Sequence, residues 1–182
     1  YFGKAFKKYW GVSPEEYKKE KDSDILIEID PGIAFGTGSH ETTKLCIQAL
    51  DKYVKTGDSV LDVGCGSGIL SIAALKLGAK HATAIDIDEV AVKVAAENMA
   101  VNHIPSSDYT LYDGDLISNA FLKVKAGTGH DIVVANILAD VIIPLTGVVK
   151  PHLKKGGLYI TSGIIDTKEA EVREALLENG FE

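Results

Sequence analysis

A doubly wound α/β fold, with a mostly parallel sheet covered by helices on both faces, is what this sequence predicts. Short and nearly continuous apolar runs, such as residues 59–63 and 132–135, have the composition of strands buried on both sides, as in a parallel sheet. Segments of helical periodicity alternate with them along the chain, which is what crossover connections between parallel strands require. A chain of 182 residues, 46% of them hydrophobic, has enough apolar material for one domain with its own core.

Taken in order, residues 1–24 read as a linker or helical lead-in, and residues 25–182 as the domain. Ser13-Pro14-Glu15-Glu16 is a helix-start pattern with proline in the first turn. Residues 25–29 alternate like a short strand. The glycine-rich loop 31–39 follows, then a helix over 40–53 with Ser39 as its cap. Residues 59–63 form a strand, 64–68 a turn, and 69–77 a helix. A strand over 82–86 leads to a helix over 88–102 capped by Asp88. Further strands are expected over 109–112 and 131–135. A helix over 138–149 tolerates Pro144 and precedes a strand over 157–161 and a helix over 166–178. Phe181 then reads as the start of another strand, so the sheet is expected to lack its last strands here. An open sheet stopping at this point would leave an apolar edge unpaired.

Composition narrows the function. The net charge is −7, whereas nucleic-acid binding domains usually carry a basic stripe. Cys46 and Cys65 make no disulfide framework and suit a reducing cytoplasm. His40, His81, His103, His130 and His152 form no ligand pattern, so no metal site is expected. No apolar run is long enough to span a bilayer, and no signal-peptide pattern opens the chain.

The chemistry concentrates in Leu61-Asp62-Val63-Gly64-Cys65-Gly66-Ser67-Gly68-Ile69-Leu70. Gly64 permits a sharp exit from the strand, Gly66 lets backbone approach a ligand, and Gly68 lets the helix pack closely on the sheet. A glycine loop by itself is weak evidence. This one follows a strand, opens a helix, and is followed by Asp86 at the tip of the next strand. Asp86 lies eighteen residues after Gly68, where an acid can accept hydrogen bonds from both hydroxyls of a ribose. Its plainer role, shared with Asp88, is to cap the next helix. The dinucleotide fingerprint needs Gly or Ala at position 69, which is Ile69 here. The resulting GxGxG favours a nucleoside without pyrophosphate, such as S-adenosylmethionine, over NAD. Asp62 could meet the ammonium of that ligand, or make a strand-end hydrogen bond.

Two other stretches point to the same edge of the sheet. Residues 30–43 combine glycines and hydroxyls ahead of a helix, whose free backbone N–H groups suit a carboxylate. Thr42 and Thr43 lie in its first turn, a position also explained by capping. His40 reads as a cap or surface residue rather than a base. Asn136 directly follows an apolar strand, and ligands of doubly wound sheets bind at the strands' carboxyl ends. Its amide oxygen can accept from an amine and aim the amine lone pair at a methyl carbon. The alternative is a turn former before a helix.

The motifs DPGIAFGTGSHETT, LDVGCGSGILSIAALKLGA, AIDID and VVANILA resemble the PrmA family, which methylates protein L-eleven of the large ribosomal subunit. The resemblance runs from Ile25 to Phe181. It implies a Rossmann-like class I methyltransferase fold that uses S-adenosylmethionine and releases S-adenosylhomocysteine. It implies cofactor contacts at Thr43, Gly64, Asp86 and Asn136, beside the Gly66 of the loop, with Asn136 also the catalytic candidate. Lysine side-chain amines and an α-amine of the ribosomal protein would be the acceptors, in the cytoplasm, with no direct nucleic-acid or membrane contact. The family's N-terminal substrate domain has no counterpart in a chain of this length. The alternatives are a class I methyltransferase acting on a small molecule or another protein, an NAD-binding module, and a non-catalytic nucleotide-binding domain.

Overall fold

The computed structural model describes residues 25–30 and 40–182. Helix α1 (Glu41–Tyr53) leads into β1 (Ser59–Val63), α2 (Ile69–Lys76), β2 (His81–Asp86), α3 (Glu89–Val101) and β3 (Tyr109–Asp113). The second half runs α4 (Ala120–Ala126), β4 (His130–Asn136), α5 (Ala139–Val149), β5 (Leu153–Ser162) and α6 (Glu169–Glu178). Turns of 3-10 helix, Lys150–His152 and Asp166–Lys168, flank β5. The five strands form one sheet in the order β3-β2-β1-β4-β5, and every pairing is parallel. The chain winds outward from β1 to β3, then returns to lay β4 against the other side of β1. The expected doubly wound fold is therefore present, and its switch point opens a crevice at the carboxyl ends of β1 and β4.

Alternation along the two central strands divides the core. Val60, Ile132 and Val134 pack with Cys46 and Leu50 of α1 and with Leu70, Ala73 and Ala74 of α2. Leu61, Val63, Val133 and Ala135 face the opposite way, towards Leu122 of α4 and Leu145 and Val149 of α5. Burying side chains of this size stabilises by roughly 1.5–3 kcal/mol each, so β1 and β4 are the rigid base for whatever stands at their ends. No helix among the described residues is long and apolar enough to cross a membrane.

Several elements differ from expectation. Residues 25–30 join no strand ladder. Ile27 and Ile29 rest on the α1/α2 side of the core, but the backbone is held by side chains of α3 and its C-cap. Asn98 and Asn102 bond the N–H and C=O of Asp30 and Glu28. Helix α4 has no counterpart in the sequence reading. Its seven residues bury only Leu122 and Ala126, too little for a periodic signal. Asn119 caps it by accepting from the N–H groups of Phe121 and Leu122. Strand β5 begins at Leu153, ahead of an irregularity in its register with β4 between His130 and Ile132. Phe181 follows closely on α6. Its N–H donates to Leu176 O at 3.0 Å, closing α6 in a Schellman-type cap after Gly180, and its ring packs 5.4 Å from that of Tyr159. Gly68 serves a helix-helix contact rather than a helix-sheet one, since an added Cβ would lie 3.0 Å from Ala95 Cβ on α3. The helix start at residues 13–16, the loop 31–39 and the Ser39 cap lie outside the described residues. The cap of α1 is His40, whose Nδ1 accepts from the Thr42 N–H at 3.4 Å.

Candidate functional site at the carboxyl edge of the sheet

Strand β1 ends in the glycine turn, which is stitched to the neighbouring strand. The N–H groups of Gly64 and Cys65 donate to Ile85 O of β2 at 2.8 and 3.1 Å. Gly64 has a φ of +76°, and a Cβ there would collide with Ile137 Cγ2 beyond the end of β4. Both the backbone conformation and the close approach require glycine. The Gly66 N–H donates to Asp86 Oδ2 at 2.8 Å, so the loop and the acid after β2 are bonded to each other. Asp86 Oδ1 accepts from the Asp88 N–H at 3.0 Å. Asp88 caps α3 by accepting from Val90 N–H at 2.8 Å. The two acids thus divide the roles that the sequence left open: Asp88 caps the helix, and Asp86 fixes the loop. A carboxylate has about four lone-pair sites, so each Asp86 oxygen retains capacity to accept another donor.

Across the switch point, Asn136 ends β4 and Thr43 stands in the first turn of α1. Asn136 Nδ2 donates to Thr43 Oγ1 at 3.2 Å, joining residues 93 positions apart. Thr43 is buried and Asn136 half-buried. The bond takes the amide nitrogen, and Asn136 Oδ1 has no partner among the described residues. Thr42 is turned aside, its hydroxyl 2.8 Å from His40 Nδ1. The structure therefore groups Gly64, Gly66 and Asp86 on the β1/β2 side of this edge, and Thr43 and Asn136 on the β4 side. Gly163, which the sequence reading passed over, belongs to the same edge. A Cβ there would lie 2.5 Å from Ile137 O, so it lets the turn after β5 close against the backbone that follows Asn136.

Asp62 lies beneath the glycine turn and is fully buried. Its Oδ2 accepts from Ser71 N–H at 3.1 Å and Ser71 Oγ at 2.7 Å, while Oδ1 is buried without a partner. Burial pushes its pKa up to about 7, against the opposing Ser71 bonds and with a smaller push from the Asp86 charge. The folded domain then binds a proton that the unfolded chain has released. This contribution to stability is fully present below about pH 4 and is lost as pH rises through about 7. An Asp62→Asn variant is neutral throughout. Its melting temperature relative to wild type should rise between pH 5 and pH 8 by at least about 5 °C. A difference that stayed flat over that range in ligand-free protein would show that Asp62 is ionised when buried.

The family model and the curated relatives agree on one family. The family profile described as "Ribosomal protein L11 methyltransferase (PrmA)" matches residues 5–182. A protein of Lachnoclostridium phytofermentans named ribosomal protein L11 methyltransferase is 52% identical over 181 residues, covering 92% of this chain and 54% of its own length. One of the same name from Agathobacter rectalis is 56% identical, covering 92% of this chain and 53% of its own. The chain thus spans about half the length of the curated relatives it matches. Among solved structures, a ribosomal protein L11 methylase from Lactobacillus delbrueckii subsp. bulgaricus superimposes with a TM-score of 0.76 at 36% identity, covering 90% of this chain and 83% of that one.

Proposed function

The chain belongs to the ribosomal protein L11 methyltransferase (PrmA) family, and from that premise we propose that its sheet edge binds S-adenosylmethionine and presents the methyl group to an amine of the ribosomal protein. The observation that carries this reading is the pair of polar groups on either side of the switch point. Asp86 is an acid whose orientation is fixed by the glycine loop, and Asn136 is an amide whose orientation is fixed by Thr43.

The residues fit the cofactor. Asp86 would take the ribose hydroxyls with its remaining lone pairs. Gly64 and Gly66 would form the cradle, where a side chain at position 64 has no room. Asp62 Oδ1 is buried without a partner; the positive charge of the methionine-end ammonium would favour the ionised carboxylate, whose Oδ1 would then accept from it, directly or through water. When bound, S-adenosylmethionine supplies a methyl group on a positively charged sulfur that departs as a neutral thioether.

Because the leaving group already carries the charge, the protein need donate no proton to it. The work left to this chain is positioning, which can be worth about 7–11 kcal/mol of barrier when the reacting atoms are held at near-attack distance. Asn136 Oδ1 accepts an N–H of the arriving amine, and Thr43 keeps that oxygen facing outward by holding the amide nitrogen. His40 Nδ1 is engaged in the cap of α1, so the amine arrives already deprotonated by solvent. Acceptor amines are lysine side chains and an α-amine in this reading. The reaction is assigned to the cytoplasm, supported by two free buried thiols, Cys46 and Cys65. Recognition of protein rather than nucleic acid is supported by the net charge of −7.

Calorimetric titration with S-adenosylmethionine, S-adenosylhomocysteine and NAD in parallel tests the reading. The two adenosyl sulfur compounds should bind at one site, and NAD should give no heat of binding. Binding of NAD in their place would overturn it. Methyl transfer to the ribosomal protein, compared with transfer to small amines, then separates a protein methyltransferase from a small-molecule one.

A further inference from the structure

Helix α3 presents Asn98 on a buried face, and Asn102, the residue that caps its C-terminus, follows one turn later. Asn98 is fully buried and Asn102 nearly so. A buried amide left unsatisfied is costly, and both are satisfied by the backbone of residues 28–30. Asp30 N–H donates to Asn98 Oδ1 at 2.9 Å, and Asn98 Nδ2 returns a bond to Asp30 O at 3.1 Å. One helical turn later, Glu28 N–H donates to Asn102 Oδ1 at 3.0 Å, and Asn102 Nδ2 donates to Glu28 O at 2.6 Å. The spacing explains the match. Four helical residues rise about 6 Å, and two extended residues span about 6.7 Å. Asparagines at i and i+4 can therefore grip alternate residues of an extended chain, as a neighbouring strand would.

The two grips differ in one contact. The remaining Asn98 Nδ2 hydrogen donates to Ser67 O at 2.9 Å, whereas that of Asn102 returns to Asn98 O within the helix at 2.8 Å. Ser67 is fully buried inside the glycine turn, between Gly66, which bonds Asp86, and Gly68, which packs on Ala95 one turn before Asn98. We infer that Asn98 is a positioning residue for the cofactor site, its single amide tying the glycine turn at Ser67 to the chain at Asp30. It acts through the loop and not on the ligand. The Ser67 tie limits how far Gly66 can move from Asp86, and it couples that loop to the segment leading towards α1, where Thr43 stands. The inference rests on the cofactor reading given above.

Asn98→Ala and Asn102→Ala are compared at a temperature well below both melting transitions. Both should melt earlier than wild type. Asn98→Ala should bind S-adenosylhomocysteine at least about tenfold more weakly, and Asn102→Ala within about threefold of wild type. Native affinity in Asn98→Ala, or equal weakening in the two variants, would overturn the inference. Hydrogen exchange on the wild-type chain decides the matter should Asn98→Ala not fold. Saturating S-adenosylhomocysteine should slow the Asp30 amide by at least about fivefold and slow Glu28 less, because only Asp30 shares its amide partner with the glycine turn. An unchanged Asp30 rate, or slowing of Glu28 equal to that of Asp30, would overturn the coupling. A wild-type chain that binds no S-adenosylhomocysteine would instead overturn the cofactor reading itself, so the two failures are distinguishable.

Discussion

Replacing Asp86 by alanine weakens S-adenosylhomocysteine binding by at least about a hundredfold while the domain stays folded. Two losses combine. The ribose hydroxyls lose a charged acceptor, and hydrogen bonds to charged groups are worth about 1.5–3 kcal/mol each. The Gly66 N–H also loses the oxygen that holds it at 2.8 Å, so the cradle must be ordered at the moment of binding. The fold survives because the bonds lost lie at the rim of the sheet, where water can take over the Gly66 and Asp88 N–H groups. The strand register of β2 with β1 and β3 does not depend on the carboxylate. Asp86→Asn keeps the shape and one acceptor, and should fall between the two. Calorimetry measures the affinity, and thermal melting monitors the fold. A folded Asp86→Ala protein binding within threefold of wild type would remove Asp86 from the cofactor site.

The parts of the fold that were legible are those whose signal is local and strong. Strands β1 and β4 are apolar on successive residues because both faces of the sheet are covered. Residues 25–30 show the limit of the same logic. Alternation of Ile25, Ile27 and Ile29 reports an extended backbone with one sheltered side. It carries no information about what satisfies the N–H and C=O groups. Here the partners are side-chain amides of α3 and its C-cap, distant in sequence. Helix α4 is short and lies among glycines, so neither length nor periodicity announced it. Phe181 packs on Tyr159 behind α6, a contact between residues whose proximity the sequence does not announce.

The candidate site divides in the same way. Gly64, Gly66 and Asp86 belong to one strand-turn-helix-strand unit, where residue type and spacing carry the geometry. Thr43 and Asn136 were each visible as polar residues at element ends. Their bond joins the end of β4 to the first turn of α1, and only the fold brings them together. For Asp62, two roles were left open. Ser71 occupies one of its oxygens and leaves the other buried and unpaired. Asn98 was passed over because an asparagine in a helix usually faces water. The available signal was its place on the apolar stripe of α3, beside the buried Ala91, Ala95 and Met99.

Asn136→Ala should lower single-turnover methyl transfer by at least about a hundredfold, while affinity for S-adenosylhomocysteine changes less than about tenfold. The asymmetry follows from what the side chain does in the proposed site. Cofactor affinity draws on Asp86, the glycine cradle and Asp62, none of which alanine at position 136 disturbs. The arriving amine has a single assigned acceptor, Asn136 Oδ1, which both locates the nitrogen and turns its lone pair. Loss of that acceptor leaves a freely oriented amine, and a displacement of about 1 Å can cost a hundredfold in rate. Thr43→Val provides the matching test of the hydrogen bond that holds the amide. The valine keeps the volume but removes the oxygen that receives Asn136 Nδ2, so turnover should fall by about tenfold through misorientation alone. Because both changes act on one amide, the double variant should be no slower than Asn136→Ala, the non-additivity expected of residues in direct contact. Single-turnover transfer to the ribosomal protein at saturating S-adenosylmethionine gives the rates, and calorimetry gives the affinities. An Asn136→Ala protein with native turnover, or one whose loss is entirely in cofactor affinity, would show that this amide does not position the amine.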